Sequence, residues 1–401
     1  MAKSGETVAG AYPAYKGEKM KIALYLTDTK NSHDGVAKFL QETLKAYRGG
    51  NADTDARMIG GALLSRKDDP QKIAAAYKEI APGVGVKLTK TAYPAIVLSR
   101  AEYLLKRNYD KIFGEKADVY VFPVNFVPKN KPNGFTVAVI HDLIPLHRPD
   151  YPKWMTHFYK KMYKNTVNNA DVIFTVSHHS ENEILSYYPM AKGKIAVNYP
   201  GVDVAFFAEP SPKEKCAEVK EKYNTGEKYF LFVGQDRENK NLARLLNAYA
   251  LLPEEIRKNH KLVIANHSRE LKEQAEKLAL PGVVLLNGIE NDDIAAVVQC
   301  AGALMLVSTF EGFGLPLVEA MAAGVPAITS NVSCLPEVAG GAALLADPYS
   351  EKSIAEAMER VITDESLREE LIEKGRARAK DFTWENTANT FAKEIGKRLC
   401  K

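Results

Sequence analysis

Two carboxylates, Glu311 and Glu319, flank a stretch that carries Gly312, Gly314 and Pro316. A carboxylate accepts two hydrogen bonds at once, which suits the vicinal hydroxyls of a ribose or a sugar. Elsewhere a lysine, Lys240, follows Gly234 with Arg237 between them. A cation at the start of a helix is electrostatically misplaced unless an anion shares the spot, and a diphosphate is such an anion. The chemistry suggested is the grip on a nucleotide: acids on hydroxyls, cations on phosphates.

The elements that must position these groups follow from the pattern. The apolar run 303–307 reads as a buried strand, the glycine loop comes next, and Pro316 falls where a first helical residue belongs. Proline is pre-set for that place and has no amide to leave unpaired. Gly324 then supplies a left-handed helix stop, and Pro326 leads into another strand. The amides at Phe313, Gly314 and Leu315 would aim above the sheet, a ready site for phosphate. Glu311 falls in the loop and Glu319 in the first helical turn, leaning back towards the helix start. A blander reading has Glu319 complementing the helix dipole and Glu311 solvated. The run 229–233 is a strand ending at Gly234, and it sets Lys240 and Asn241 at the start of the next helix. The bland alternative for Lys240 is a solvated surface cation.

Glu311 and Glu319 form a Glu-x7-Glu pattern, and Phe382-Thr383-Trp384-Glu385 stands near the end. On these residues the chain resembles the retaining glycosyltransferases of the GT-B fold, family 4 of that class, from Met20 onward. The resemblance implies an α/β protein of two Rossmann-like parallel-sheet domains facing across a cleft. It implies transfer of a hexose from a nucleotide diphosphate sugar to a glycan or glycolipid hydroxyl, with retention. Glu319 would then hold the ribose, Glu311 the donor sugar and Lys240 the diphosphate. Gly234, Asn241, Gly312 and the amides after it would complete the donor site.

In that family a basic residue five before the lysine also holds the diphosphate. Here the position is Gln235, and Arg237 is the substitute in the same loop. His141-Asp142 resembles a His-Asp-Leu segment whose histidine touches the donor sugar; otherwise Asp142 is a turn residue and His141 a packed imidazole. Gly35 and Lys38 fit a family loop beside acceptor and phosphate, while His33 and Asp34 depart from it. A rival reading makes His33 and Asp34 a general base, as in inverting GT-B enzymes. In the retaining class the leaving phosphate takes the acceptor proton, so no protein base is required. The His141-Asp142 and Lys240-Asn241 segments look most like mannosyl- and rhamnosyl-type members, which makes GDP-mannose the first donor expected and a UDP-hexose the second.

Composition agrees with this class. At 401 residues the chain is too long for one ordinary core. Apolar residues at 46% and charged residues at 26% are ordinary for a soluble globular protein. A formal charge of +4 permits an anionic partner without demanding one. Cys216, Cys300, Cys334 and Cys400 show no paired spacing, which fits a reduced, cytoplasmic setting without a disulfide frame or zinc knuckle. No apolar run approaches the roughly 20 residues that cross a bilayer.

Short apolar runs alternate with longer amphipathic stretches, as in parallel sheets covered by helices. Strands are expected at 21–26, 119–122, 136–140, 172–176, 229–233, 262–265 and 283–286. Helices are expected at 36–47, 71–80, 95–107, 241–252 and 384–399. The implied organisation is a flexible extension at 1–19, an acceptor domain at 20–200 and a linker at 201–227. A nucleotide-sugar domain follows at 228–381, and a helix at 382–401 returns to the first domain.

Some features carry less. Asp53-Thr54-Asp55 matches a three-residue metal motif that arises readily by chance, and with Lys240 and Arg237 supplying positive charge neither metal nor other cofactor is expected. His178-His179 precede Ser180 and Glu183, a capping box that explains the segment as a helix entry. Trp154, Phe158 and Met162 share a helical face of the kind that usually packs into a core. Lys153, Lys160, Lys161 and Lys164 nearby leave open a peripheral contact with a lipid surface or anionic acceptor. No nucleic-acid module is evident. Two alternatives stand outside transfer: a nucleotide-sugar epimerase of the same fold, and a non-catalytic nucleotide-sugar binding protein.

Overall fold

The computed structural model describes residues 20–26, 56–64, 69–71, 74–75, 85–90, 109–148 and 150–399. The leader 1–19 lies outside them, as do the expected helices 36–47 and 95–107 and most of 71–80. The chain divides into two compact units, residues 202–383 and the residues on either side of that block.

In the first unit a parallel sheet joins β1 (Met20–Tyr25), β2 (Ala56–Leu64), β3 (Gly85–Lys90), β4 (Val119–Phe122), β5 (Phe135–Ile140), β6 (Val172–Thr175) and β7 (Ile195–Val197). Its order is β3-β2-β1-β4-β5-β6-β7. The alternation of side chains along a strand splits each apolar run between two faces. Tyr120, Phe122, Ala138, Ile140 and Ile173 enter one buried cluster. Val119, Val121, Val137, Val139, Val172 and Phe174 enter the other. A sheet buried on both faces needs such near-continuous apolar strands. Helices α1 (Lys153–Asn169) and α2 (His178–Tyr187) cover the first face through Met162, Tyr163, Val167 and Ile184.

The second unit begins with α3 (Val204–Ala208) and α4 (Lys213–Lys222), so the segment expected as a linker is folded. Its charged run is helical and turns Val219 inward. Another parallel sheet follows: β8 (Tyr229–Val233), β9 (Lys261–Ala265), β10 (Val283–Leu286), β11 (Ala303–Leu306), β12 (Ala327–Ser330) and β13 (Leu344–Ala346). The order is β10-β9-β8-β11-β12-β13. Around it lie α5 (Leu242–Leu251), α6 (Leu315–Ala323), α7 (Leu335–Ala339) and α8 (Glu365–Ala379). A Cβ on Gly375 of α8 would sit 3.4 Å from the Met321 Cα, so α8 packs closely on α6.

The last helix, α9 (Trp384–Leu399), belongs to the first unit. Phe391 stacks on Phe174 at 4.7 Å, and Trp384 and Ile395 are buried with the strand residues of the second cluster. Burial of a side chain such as Ile395 contributes roughly 1.5–3 kcal/mol. Thr387 Oγ1 donates to the Tyr199 carbonyl at 2.8 Å.

In each sheet the strand order reverses once, between β1 and β4 and between β8 and β11. The loops leaving the carboxyl ends of strands at such a reversal diverge and open a crevice where ligands bind. The loops after β8 and β11 carry Gly234–Lys240 and Ser308–Gly314. Among the described residues no helix is long and apolar enough to cross a membrane.

Candidate active site

The two loops at the second reversal are stitched together before any ligand is considered. The Thr309 amide donates to the Asn239 carbonyl at 2.8 Å, and Asn239 Nδ2 donates to the Phe310 carbonyl at 2.8 Å. Across this seam Lys240 Nζ lies 2.5 Å from Glu311 Oε1. Lys240 is half-buried, and Glu311 is only 7% exposed. Ser308 Oγ donates to the same oxygen at 2.7 Å. Glu311 is therefore a buried, paired carboxylate, not a solvated one. A charge so placed is tolerated because a cation and a hydroxyl meet it.

Two details differ from the sequence reading. Gly314 is itself the N-cap of α6, in the left-handed region at φ +97°, so the helix starts at Leu315 and Pro316 is its second residue. Glu319 consequently lies beyond the first turn, half-buried. A side chain is also excluded at Gly314 by space, since a Cβ would meet Leu335 Cδ2 at 2.9 Å. Gly312 and Phe313 are buried, and Phe313 packs edge-on against Phe382 at 5.3 Å. At the far end Gly324 adopts φ +72° as the helix stop.

Lys240 is not the first residue of a helix. It ends a single 3-10 turn, Glu238–Lys240, and Asn241 at φ +62° then opens α5. The Asn241 side chain is committed to the fold. Its Nδ2 donates to the carbonyls of Val307 (3.0 Å) and Pro348 (2.7 Å), and its Oδ1 accepts from Arg244 at 2.8 Å. Asparagine tolerates the left-handed region and supplies both donors and acceptor. The Asn241 side chain therefore holds the loop. Gly234 ends β8 with φ +155°. Beyond it Arg237 Nη2 donates to Gln235 Oε1 at 2.7 Å, so the guanidinium sits beside the position where the sequence lacks a base.

In the first unit His141 leaves the carboxyl end of β5. Its amide donates to Asn125 Oδ1 at 2.8 Å, and its Nε2 lies 3.1 Å from the Pro123 carbonyl. A carbonyl only accepts, so this contact requires the proton on Nε2 and makes Nδ1 the acceptor of the neutral ring. Asp142 Oδ1 accepts from the Ile144 amide at 3.0 Å, the mark of a turn residue. His33, Asp34, Gly35 and Lys38 lie outside the described residues, as do Asp53 and Asp55. Among the described residues no group of three or more His, Cys, Asp or Glu side chains could hold a metal ion.

The capping box also moves. Ser177, not Ser180, is the N-cap of α2 and accepts from the Ser180 amide. Glu183 bonds instead to His147. Both serines have the chemistry of a cap, and only the strand end at Thr175 decides between them.

Three residues near Glu311 escaped the sequence reading. Ser308 is one. Ser333 is the second: its Oγ accepts from the Glu311 amide at 3.0 Å and donates to the Glu311 carbonyl at 2.8 Å. Cys334 Sγ is the third, 3.2 Å from that carbonyl and 3.4 Å from that of Phe313. Burial, aided by the charges of Glu311 and Glu337, pushes the Cys334 thiol well above the usual cysteine range, so it stays a neutral donor. Only Ser308 carried a signal, three residues before Glu311 at the mouth of the loop.

Two parallel sheets, each reversing its strand order once, are an architecture shared by many enzymes, and comparison with known proteins narrows it to a family. Residues 215–378 match the family described as "Glycosyl transferases group 1", and residues 87–206 match "Glycosyltransferase Family 4". The chain is 32% identical over 257 residues to the O-antigen chain mannosyltransferase B of Escherichia coli, covering 62% of this chain and 67% of that protein. It is 29% identical over 266 residues to the serotype-specific mannosyltransferase WbdA of Escherichia coli, of which it spans only 32%. Among solved structures, sucrose-phosphate synthase from Thermosynechococcus elongatus superposes with a TM-score of 0.73 at 18% identity, covering 95% of this chain and 99% of that one. WaaG, a glycosyltransferase involved in lipopolysaccharide biosynthesis, gives 0.70 at 18% identity, covering 93% and 99%. The chain belongs to the group 1 glycosyltransferases of the GT-B fold, and mannosyltransferases are among the relatives it is similar to.

Proposed function

We propose that this enzyme moves a mannosyl residue from GDP-mannose to a hydroxyl of a glycan acceptor, with retention and without a metal. The observation that carries the reading is the convergence of Lys240 and Glu311 at the β8/β11 reversal, beside the start of α6. A donor diphosphate at this helix end would draw Lys240 Nζ onto its oxygens, with Arg237 in reach of the same loop. Lys240 and Ser308 both meet Glu311 on Oε1, which leaves Oε2 for hydroxyls of the donor sugar. Glu319 is assigned to the ribose. His141 is assigned to the donor sugar from the family resemblance.

In the reaction the bond between the anomeric carbon and the diphosphate oxygen breaks, and the acceptor oxygen bonds to that carbon on the same face. The acceptor proton passes to the departing phosphate. Donors aimed at the charge developing there are typically worth about 3–4 kcal/mol each. Lys240 and Arg237 supply that positive charge. Mannose as the sugar and a glycan as the acceptor are supported by the O-antigen mannosyltransferases to which the chain is similar.

The test is a thermal-shift screen with GDP-mannose, UDP-glucose, dTDP-rhamnose and ADP-glucose, followed by turnover in excess EDTA. GDP-mannose is expected to give the largest shift and EDTA to leave the rate unchanged. A larger shift with a uridine sugar replaces the donor, and loss of activity in EDTA removes the metal-free mechanism.

A membrane-borne acceptor is supported by one face of α1. Lys153, His157, Lys160, Lys161 and Lys164 are all exposed there, and the helix has no acidic residue. Trp154, whose face otherwise turns inward at Phe158 and Met162, is 59% exposed among these cations. Lysines near an anionic bilayer contribute about 1 kcal/mol each, and tryptophan favours the headgroup level. The protein should therefore sediment with vesicles containing phosphatidylglycerol and not with neutral phosphatidylcholine vesicles. Equal partition would remove this contact.

A further inference from the structure

The loop between β12 and α7 holds an anomaly. Among the described residues the non-glycine positions with positive φ are Asn224, Asn241, Asn266, Ala279 and Ser333. Asparagines tolerate that region, and Ala279 ends a helix. Ser333, at φ +61°, has neither excuse. Backbone strain of this kind persists where surrounding structure over-determines it, and it clusters at functional sites.

What the strain achieves is visible in the hydrogen bonds. One hydroxyl meets both polar groups of the Glu311 backbone, accepting from its amide at 3.0 Å and donating to its carbonyl at 2.8 Å. An amide and a carbonyl of one residue point to the same side only when that residue is extended. The Ser333 hydroxyl therefore stands in for a neighbouring strand. The end of β12 reinforces it. Ser330 Oγ donates to the Ser308 carbonyl at 2.6 Å, and Thr329 Oγ1 donates to that of Leu306 at 2.9 Å. Cys334 Sγ adds a weaker contact to the Glu311 carbonyl. The glycines around Glu311 give its own loop little stiffness, so its geometry is imposed from the β12 loop.

We propose that Ser333 is a positioning residue for the transfer reaction: its hydroxyl locks the Glu311 backbone in the one conformation that sets the carboxylate against both Lys240 and the donor sugar. This rests on the reading that Glu311 engages that sugar. Ser333 touches no reacting atom. A misplacement of about 1 Å in a group that orients substrate can cost roughly 10²-fold in rate.

The experiment compares S333A, S333G, E311Q and the double variant E311Q/S333A. Rates are followed by nucleotide release from GDP-mannose, or from whichever nucleotide sugar the screen selects. S333A removes the hydroxyl and keeps the strained Cβ, whereas S333G removes both, and glycine is at home at this φ. Both should lower kcat by about 10-fold or more. Binding of the free nucleoside diphosphate, measured by calorimetry, should stay within about twofold, because it lacks the transferred sugar that Glu311 grips. S333G should do this while melting at or above the parental temperature. In the E311Q background S333A should cost nothing further, as expected when one residue acts only through the other. Parental kcat in S333G, or a loss that multiplies with that of E311Q, overturns the proposal. E311Q at the parental rate would instead remove Glu311 from the reaction and take the purpose of the lock with it.

Discussion

Two buried carboxylates in the second unit invite comparison. Asp293, 2% exposed, takes Lys215 on Oδ1 at 2.6 Å, and both Lys222 and the Tyr223 hydroxyl on Oδ2 at 2.7 Å. Each oxygen is occupied by a partner from α4 or from Tyr223, the residue just after it. Glu311 is nearly as buried, but Lys240 and Ser308 crowd one oxygen only. Its backbone is held by a strained serine, whereas Asp293 needs no such device. A carboxylate saturated by its own protein is a fastener. One kept partly in hand, on a restrained backbone, is an instrument.

That contrast can be broken by substitution. K240A should lower turnover by about 10²-fold or more, the typical cost of removing a donor aimed at developing charge. Measured as kcat/KM with the selected donor, a near-parental value would remove Lys240 from the mechanism. D293N should do the reverse. It should lower the melting temperature by about 3–8 °C and leave the rate per folded molecule near parental. Loss of donor affinity in D293N at unchanged stability would erase the distinction.

The smallest effect is one of pH. Lys215, then Lys222 and Tyr223, hold the Asp293 carboxyl well below the usual aspartate range. A folded-state value below the unfolded value of about 3.9 means that its stabilisation is complete above that pH. It declines below that pH as the unfolded chain takes up a proton that the folded group refuses, and is gone once pH falls through the folded value. Between pH 5 and pH 3 the melting temperature of the parent should therefore fall more steeply than that of D293N. Parallel curves would show that the Asp293 cluster is not the cause.

Much of the frame was legible because burial on both sheet faces forces continuous apolar strands. The runs at 119–122, 229–233 and 283–286 match β4, β8 and β10. β2 was not legible, since Arg57, Gly60 and Gly61 interrupt its apolar run, and β7 and β13 are each only three residues long. Glu311 and Lys240 stood out because charge beside glycine at a strand end is costly unless used. Asn241, which is neutral, came with Lys240 from the family resemblance, and its side chain holds backbone carbonyls. Ser333 left no trace in the pattern, because a hydroxyl bonding to a backbone has no characteristic spacing and its φ is invisible in the sequence.

The chain enters the second unit at Val202 and leaves it at Thr383. The Val202 amide donates to the Phe382 carbonyl at 2.9 Å, so the two ends of this block lie side by side. A block with adjoining ends can be lifted out or re-threaded without disturbing its interior. Residues 202–383 are in effect a cassette: closed into a ring by a short peptide, or grafted onto a different first unit, it should carry Lys240, Glu311 and their serines along intact.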